Sequence, residues 1–313
     1  MTSFFPRHLR LGPIPLLVFA AAAFIAACSN DDGASGDGAP IRVVTTLPLF
    51  ADFVREVGGD RVDVTSLLPA GADPHTYEPG PKDVARVADA DIAFANGLDL
   101  DVPGLNVLEA NLPGGAPLVL LGEYAKTADV SLPHGGIDDP HYWLDTFYAR
   151  LYASRIADQL IALDPQGQGV YEQNLATLRS HIGDAETYLQ RAITAIPSEH
   201  RALVTTHDAF RHMAIPLGLE VIGAVSHAPG QEEGPQQIAE LIDAVKERGL
   251  PAVFKEPQIS EESQTLKRIA AEQGVLVCTL YSDSLDDNVS TYIDMMRFNA
   301  DELARCLGET NGG

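Results

Sequence analysis

The chain has 313 residues, which is enough for about two domains, and its 45% hydrophobic and 21% charged residues are ordinary for a globular protein. Asp and Glu number 44 against 21 Lys and Arg, which gives a formal net charge of -23. This balance argues against nucleic acid or anionic lipid as the main partner. It suits a protein that attracts cations, although solubility alone also accounts for many acidic secreted proteins.

The amino terminus has the pattern of a secretory signal over residues 1–27, in which two arginines precede an apolar run that is short for a membrane span. Residues 25–28, Ile-Ala-Ala-Cys, are similar to a bacterial lipobox, which predicts that Cys28 is lipidated and becomes the new amino terminus. The remainder of 28–40, rich in Gly, Ala and Asp, is predicted to be a flexible tether. We therefore expect an extracytoplasmic protein that meets the membrane only through its lipid, in a periplasm or on the outer face of a cell membrane.

From residue 41 onwards, predicted strands alternate with predicted helices, which is typical of a parallel sheet with crossover helices. Strands are predicted at 41–46, 61–68, 91–95 and 118–121, and helices at 49–57, 82–90 and 105–110. Residues 122–139 lose this periodicity and are predicted to form a loop, and a helix over 143–163 follows. The pattern predicts an amino-terminal α/β lobe over 41–166.

One predicted helix, 167–196, is unusually long. Its apolar residues recur at alternating spacings of four and three from Tyr171 to Ile196, which marks a single stripe along one helix. At 1.5 Å per residue the helix would extend about 45 Å, long enough to join two lobes. A plain surface helix is the alternative.

After Pro197 the alternation of strands and helices starts again. Strands are predicted at 201–206, 220–224, 252–254 and 275–281, and helices from 208 and over 235–248, 261–273 and 289–307. We therefore predict an α/β fold of two lobes, each with a mostly parallel sheet flanked by helices, joined by one long rigid helix. The carboxy-terminal lobe is predicted over 197–313.

Four side chains that can bind a metal stand where open parallel sheets bind their ligands, beyond the carboxyl ends of strands. His75 and His207 each follow a predicted strand, as does Asp283, and His141 opens the helix after the long loop. His75 and His141 both stand in Asp-Pro-His, where the proline stiffens the backbone before the imidazole. Three imidazoles and a carboxylate suit Zn²⁺, with Mn²⁺ or another first-row metal possible. Four protein ligands would fill a tetrahedral shell, which favours holding a metal over using it in catalysis.

Longer motifs surround these residues. They are Val43 to Leu49 (VVTTLPL), Leu67 to Pro79 (LLPAGADPHTYEP), Asp139 to Asp145 (DPHYWLD), Thr206 to Phe210 (THDAF), Val253 to Gln258 (VFKEPQ) and Leu280 to Leu285 (LYSDSL). With them the chain resembles the metal-binding lipoproteins that serve bacterial ATP-binding cassette (ABC) transporters as receptors for zinc or manganese. The resemblance covers nearly the whole mature chain. It implies a metal site in the cleft between two lobes, with His75, His141, His207 and Asp283 as the four ligands.

The resemblance also implies partners and a metal. The partners would be the membrane permease and cytoplasmic ATPase of an importer, with the receptor itself a monomer. In similar proteins a His at the third ligand position tends to accompany zinc and a Glu manganese, so His207 favours zinc and leaves manganese as the alternative. The chain departs from this family in three places. The loop before His141 contains His134 alone, where zinc-binding members often have many histidines. His212 stands where an aromatic such as Tyr is usual, and residues 233–235 interrupt a familiar Glu-Pro.

Several roles stay open at the level of sequence. Glu256, at a strand end, either bonds a ligand imidazole from behind or is a surface carboxylate. Cys278 and Cys306 either form a disulfide in the oxidising compartment or remain two buried thiols. The histidines at 181, 200 and 212 are expected to be solvated or packed, not to bind metal.

Two other classes of function compete with a transport receptor. A zinc-dependent hydrolase would arise if Asp283 did not bind the metal and a water took its place. The sequence has no His-Glu-x-x-His and no carboxylate obviously placed as a general base, so we expect no enzyme. A surface adhesin would need an exposed patch for a partner, which the sequence does not reveal.

Overall fold

The computed structural model describes Met1 and residues 39–129, 136–137, 139–227, 229–230, 234–259 and 261–308. Cys28, nearly all of the predicted signal and tether, His134 and Glu233 lie outside these residues. Across the described ranges, none of the helices combines the length and the apolar character needed to span a membrane. The described residues from 39 to 308 belong to one compact unit.

The first half of this unit is built on a four-stranded parallel sheet with the order β2-β1-β3-β4. Its strands are β1 Ile41–Thr45, β2 Val62–Ser66, β3 Ile92–Ala95 and β4 Leu118–Leu120. Its helices are α1 Pro48–Gly58, α2 Pro81–Ala88, α3 Val102–Asn111, α4 Leu121–Asp129 and α5 Thr146–Leu163. The central strand β3 is buried along its whole length, as expected for a parallel strand covered on both faces.

The second half repeats this architecture with the sheet order β6-β5-β7-β8, again with every pair parallel. Its strands are β5 Ala202–His207, β6 Glu220–Ser226, β7 Ala252–Lys255 and β8 Leu276–Thr279. Its helices are α7 Arg211–Ala214, α8 Pro235–Arg248, α9 Glu261–Gln273 and α10 Tyr292–Leu307. The predicted fold class, two parallel α/β sheets flanked by helices, is confirmed.

The long helix α6, Gln168–Thr194, lies between these halves. Its 27 residues correspond to about 40 Å at 1.5 Å per residue. It packs against α1 and α5 of the first half and against α10 of the second. Its buried face carries Tyr171, Leu178, Ile182, Ala185, Leu189 and Ile193, which all belong to the largest hydrophobic core. One continuous core therefore runs through α6 into both halves.

The two halves also share a detail at the ends of their first strands. The hydroxyl of Thr45 donates to the carbonyl of Leu47 at 2.9 Å, and the hydroxyl of Thr205 donates to the carbonyl of His207 at 2.7 Å. Leu47 and His207 thus occupy equivalent positions, immediately beyond a Thr-Thr pair. The same backbone turn presents an apolar side chain in one half and an imidazole in the other.

The loop predicted over 122–139 is wrong in its first part, because α4 occupies Leu121–Asp129. The helix starts directly where β4 ends, and its buried residues Leu121 and Ala125 give too short an apolar pattern for a period to be recognised. Gly122 in its first turn is required by packing, since a Cβ there would lie 2.8 Å from the Asn96 carbonyl oxygen. Residue 122 is a glycine because α4 lies very close to the end of β3 at this point, and not because glycine favours a helix.

Cys278 on β8 and Cys306 on α10 form a disulfide bond, and both residues are buried. The bond joins the edge strand of the second sheet to the closing helix. Of the two alternatives left by the sequence, the structure contains the bonded one. Within the described chain, these cysteines are therefore not free thiolates for a metal.

Trp143 connects the first half to the second. Its indole N–H donates to the Ser282 carbonyl at 2.9 Å, and its own carbonyl accepts from the Tyr292 hydroxyl at 3.0 Å. The side chain is fully buried. This places a rigid connection between the loop of His141 and the loop of Asp283.

We expect Trp143→Phe to lower the free energy of unfolding by about 1–3 kcal/mol, because the Ser282 carbonyl loses a buried donor. Urea unfolding followed by circular dichroism measures this, since the variant lacks the single tryptophan fluorophore. Val170→Ala, at a side chain that is 39% exposed on α6, is the control and should change stability by less than about 0.5 kcal/mol. Equal losses in the two variants would contradict a connecting role for the indole.

Candidate metal centre

The four predicted ligands converge at one point. The imidazoles of His75, His141 and His207 and the carboxylate of Asp283 each offer an atom, and these atoms all lie within 4.8 Å of one another. A second cluster with metal-binding residue types, among the described residues, contains the two disulfide-bonded cysteines. The four-residue cluster is therefore the candidate metal centre.

The spacing of the four atoms matches a small ion. Nε2 of His141 lies 3.2 Å from Oδ1 of Asp283, and Nε2 of His207 lies 3.4 Å from Oδ2. The two Nε2 atoms are 3.3 Å apart, and Nε2 of His75 is 3.8 Å from Oδ2 of Asp283. Bonds of about 2.0–2.1 Å in a tetrahedral shell would place the ligand atoms roughly 3.3 Å apart. Three of these four separations are close to that value, and His75 stands slightly further out.

Each ligand is placed by the end of a secondary-structure element. His207 is the last residue of β5, and Asp283 lies in the loop that follows β8. His75 lies in the loop between β2 and α2, and His141 immediately precedes a 3-10 turn, Tyr142–Leu144. The carboxyl ends of strands from both sheets therefore meet at the centre, as the general rule for open parallel sheets predicts.

Two atoms that face the centre, Nε2 of His75 and Oδ1 of Asp283, are buried without a hydrogen-bond partner among the described residues, as is Nδ1 of His207 on the far side of its ring. Buried polar atoms normally have partners, because leaving them unpaired costs about 1–3 kcal/mol. A cation that contacts both atoms would satisfy them. The His75 side chain is 11% exposed whereas those of His207 and Asp283 are fully buried, so His75 is the ligand nearest to solvent.

Two carboxylates stand behind the imidazoles. Oδ1 of Asp139 is 2.6 Å from Nδ1 of His141, and Oε2 of Glu256 is 2.7 Å from Nδ1 of His207. The Glu256 contact is close but is not aligned as a hydrogen bond. Each carboxylate occupies the Nδ1 side of its ring and leaves Nε2 towards the centre, which is the usual arrangement behind a metal-binding histidine.

Glu256 is in turn held in place by its own partners. It accepts hydrogen bonds from the hydroxyls of Thr206 and Ser282 and, at 3.2 Å, from the backbone N–H of His207. Ser282 precedes Asp283, so this buried carboxylate connects the backbone of one candidate ligand to the side chain next to another. The sequence identified Glu256 as a candidate for this position. It missed Asp139, Thr206 and Ser282, and for Asp139 the Asp-Pro-His sequence was the available signal.

The pKa values of the three imidazoles are shifted in different directions. Burial lowers the pKa of His75 to about 3, against the opposing charge of Asp283. Burial also disfavours the protonated form of His141, but Asp283 and Asp139 together raise its pKa well above 6.5. Burial opposes protonation of His207 as well, and there Glu256 outweighs it and raises the pKa. Burial favours the neutral form of Asp283, yet His141, followed by His207 and His75, lowers its pKa.

The remaining described histidines lie outside the cluster. His212 is buried, with its ring 4.1 Å from that of Tyr142 and its Nε2 donating to the Asp139 carbonyl at 2.9 Å. His181 is exposed on α6, and Nδ1 of His200 lies 3.0 Å from the Leu307 carbonyl oxygen. His227 has a side chain that is 72% exposed, with Nδ1 3.9 Å from Asp208. His212 is packed, as the sequence allowed, and takes the place of an aromatic ring.

Two α/β halves with a buried cluster of three imidazoles and a carboxylate between their strand ends define a class of protein, the binding proteins that hold a divalent transition metal. Residues 43–306 match the model of one such family, described as the periplasmic component A of the zinc-uptake complex. The chain belongs to this family.

Similar proteins agree with this assignment. The manganese-binding lipoprotein MntA of Halalkalibacterium halodurans is 32% identical over 300 residues, which cover 94% of this chain and 97% of the relative. The periplasmic zinc-binding protein TroA from Treponema pallidum has a TM-score of 0.78 and 28% identity, over 87% of this chain and 100% of that chain. A manganese-bound periplasmic metal-binding protein from Candidatus Liberibacter asiaticus has a TM-score of 0.74 and 25% identity, over 85% of this chain and 99% of that one.

Other relatives are named as substrate-binding lipoproteins of metal ABC transporters. The chain is therefore an extracytoplasmic metal-binding component of an ABC transporter and not an enzyme. The expected family and fold are confirmed. The names of these relatives include both zinc and manganese, so they do not distinguish between the two metals.

Because the pKa of His141 is raised well above 6.5 and that of His207 is also raised, protons compete with a metal at these two rings at neutral and mildly acidic pH. His75, with a pKa of about 3, is already neutral there. We expect apparent zinc affinity to fall as the pH is lowered, with release of about two protons per metal near pH 6. Calorimetric titration in buffers of different ionisation enthalpy measures this number. Release of three protons, or an affinity that does not change with pH, would contradict the assignment.

Proposed function

We propose that this protein captures one Zn²⁺ with His75, His141, His207 and Asp283 and delivers it to the membrane permease of an importer driven by a cytoplasmic ATPase. The observation that carries the proposal is the spacing of the four ligand atoms, with three separations of 3.2–3.4 Å. Zinc prefers a four-coordinate tetrahedral shell of this size with nitrogen and oxygen ligands. Four protein donors leave no obligatory position for a reacting water, which suits a carrier.

The donor types support zinc over manganese. Three of the four candidate ligands are imidazoles, and for a given site zinc binds more tightly than manganese in the Irving–Williams order. Manganese is typically found in sites richer in oxygen and closer to octahedral. A buried cluster with one carboxylate therefore favours zinc when the two metals are equally available.

Manganese remains the second candidate because of one observation. Both oxygens of Asp283 face the cluster, Oδ1 towards His141 at 3.2 Å and Oδ2 towards His207 at 3.4 Å. If both oxygens bound the metal, the site would offer five donors, which suits an ion that takes more ligands than zinc. The name of the manganese-binding relative MntA is consistent with this alternative.

We further propose the organisation of the whole chain. Residues 1–27 are removed as a signal, Cys28 carries the lipid, and the tether to residue 40 leads to the lobe over 41–166. The helix over 167–196 then leads to the second lobe, 197–313. The relatives named as lipoproteins of ABC transporters support an anchored receptor, which we expect to act as a monomer. The continuous core through α6 supports little freedom between its lobes.

A competition titration tests this function. The purified protein, stripped of metal, is expected to bind about one equivalent of Zn²⁺ and to prefer it to Mn²⁺ by at least about 100-fold. His75→Ala and His207→Ala should each lower zinc affinity by about 100-fold or more, because each removes a metal bond. His181→Ala, on the exposed face of α6, is the matched control and should leave affinity unchanged.

Two outcomes would contradict the proposal. Failure of the stripped protein to bind any divalent transition metal at neutral pH would overturn the function as a whole. Binding that prefers Mn²⁺ under equal free concentrations would overturn zinc and favour the manganese alternative. His207→Glu sharpens the second test, because replacing an imidazole by a carboxylate should move the preference towards Mn²⁺.

A further inference from the structure

The sequence Asp-Pro-His occurs twice, and both copies use the aspartate in the same way at the backbone. Oδ1 of Asp73 accepts from the N–H of His75 at 3.1 Å, and Oδ1 of Asp139 accepts from the N–H of His141 at 2.9 Å. Each is a local turn in which the side chain two residues earlier caps the histidine. In this respect the two copies are equivalent.

Beyond the turn, the two aspartates differ. Oδ1 of Asp139 also reaches Nδ1 of its histidine at 2.6 Å, and both side chains are almost completely buried. Asp73 instead directs its second oxygen to the Thr76 hydroxyl at 2.6 Å, and among the described contacts it makes no hydrogen bond to the His75 ring. Asp139 therefore contacts the imidazole of its histidine, whereas the contacts described for Asp73 are to the backbone of its histidine and to the hydroxyl of Thr76.

Asp139 also reaches the second half of the molecule. Its Oδ2 accepts from the backbone N–H of Arg211 at 3.1 Å, at the start of α7, and its carbonyl accepts from Nε2 of His212 at 2.9 Å. On the other side, the Asn96 amide donates to the Pro140 carbonyl at 3.1 Å. The peptide that carries His141 is thus fixed from both halves, with Asp139 as the residue that joins the ring to the second half.

We propose that Asp139 is a positioning residue for metal binding, which holds His141 with its proton on Nδ1 and its Nε2 lone pair directed at the metal. This inference rests on the proposed function, since it assigns a role to a residue behind the same site. A carboxylate on Nδ1 fixes the tautomer and the ring orientation and increases the basicity of the opposite nitrogen. Substitution of such a partner typically lowers metal affinity by about 10–100-fold.

The matched pair Asp139→Asn and Asp73→Asn tests the proposal. Each variant keeps a side-chain oxygen that can cap the histidine backbone, so the local turn is preserved in both. Zinc affinity, measured against a competing chelator, should fall by about 10–100-fold in Asp139→Asn and by less than about 3-fold in Asp73→Asn. Equal losses, or no loss in Asp139→Asn, would overturn the proposal.

A second measurement does not depend on the variant folding. Long-range proton–nitrogen NMR of the zinc-loaded protein, labelled at histidine, reports which ring nitrogen carries the proton and which binds metal. The proposal requires His141 to be protonated at Nδ1 and bound through Nε2. Binding through Nδ1 would overturn it even if Asp139→Asn cannot be purified.

The wild-type titration separates this inference from the proposed function. If the wild-type protein binds no zinc, the function fails before Asp139 is considered. If the wild-type protein binds about one equivalent and Asp139→Asn binds as tightly, the function stands and the positioning role is wrong. Thermal unfolding of the two metal-free variants, expected to agree within about 3 °C, excludes a general loss of stability as the cause.

Discussion

The burial of the Asp283 carboxylate among three imidazoles is the interaction on which the rest of the structure depends. Its side chain is fully buried, and an unpaired charge in such a place would be strongly destabilising. His141 and His207 compensate it without a metal, which is why its pKa is lowered despite burial. Protons on His141 and His207 thus supply the positive charge that stabilises Asp283, and a divalent cation can supply that charge instead. This explains how the fold can keep the four candidate ligands converged without a metal.

The surrounding structure serves to hold these groups at fixed distances. Glu256 supports His207 from behind, and Trp143 joins the backbone of the His141 loop to the Ser282 carbonyl. The long helix α6 continues one hydrophobic core through both halves, so the strand ends that carry the ligands belong to a single packed body. His75 differs from the other ligands because its ring is partly exposed. It is the ligand by which solvent reaches the site most directly.

Much of this arrangement follows from local pattern. Alternating strands and helices predict the two parallel sheets, and the rule for strand ends selects His75, His207 and Asp283 as residues that meet. Other parts depend on contacts that no local pattern encodes. The Asp139 side chain contacts Arg211, which follows it in the sequence only after α5, α6 and β5, and the Ser282 hydroxyl contacts Glu256 from another strand end. The sequence does not predict helix α4 because Leu121 and Ala125 are its two buried apolar side chains among the described residues, and because its glycine is required by contact with Asn96.

X-ray absorption at the zinc edge of the metal-loaded protein tests the central claim most directly, because it reports the atoms bound to the ion. The account predicts a shell of nitrogen and oxygen at about 2.0–2.1 Å, with outer-shell scattering from about three imidazole rings and no sulfur. A sulfur shell near about 2.3 Å, or scattering from one imidazole or none, would contradict the assignment of this cluster as the metal centre.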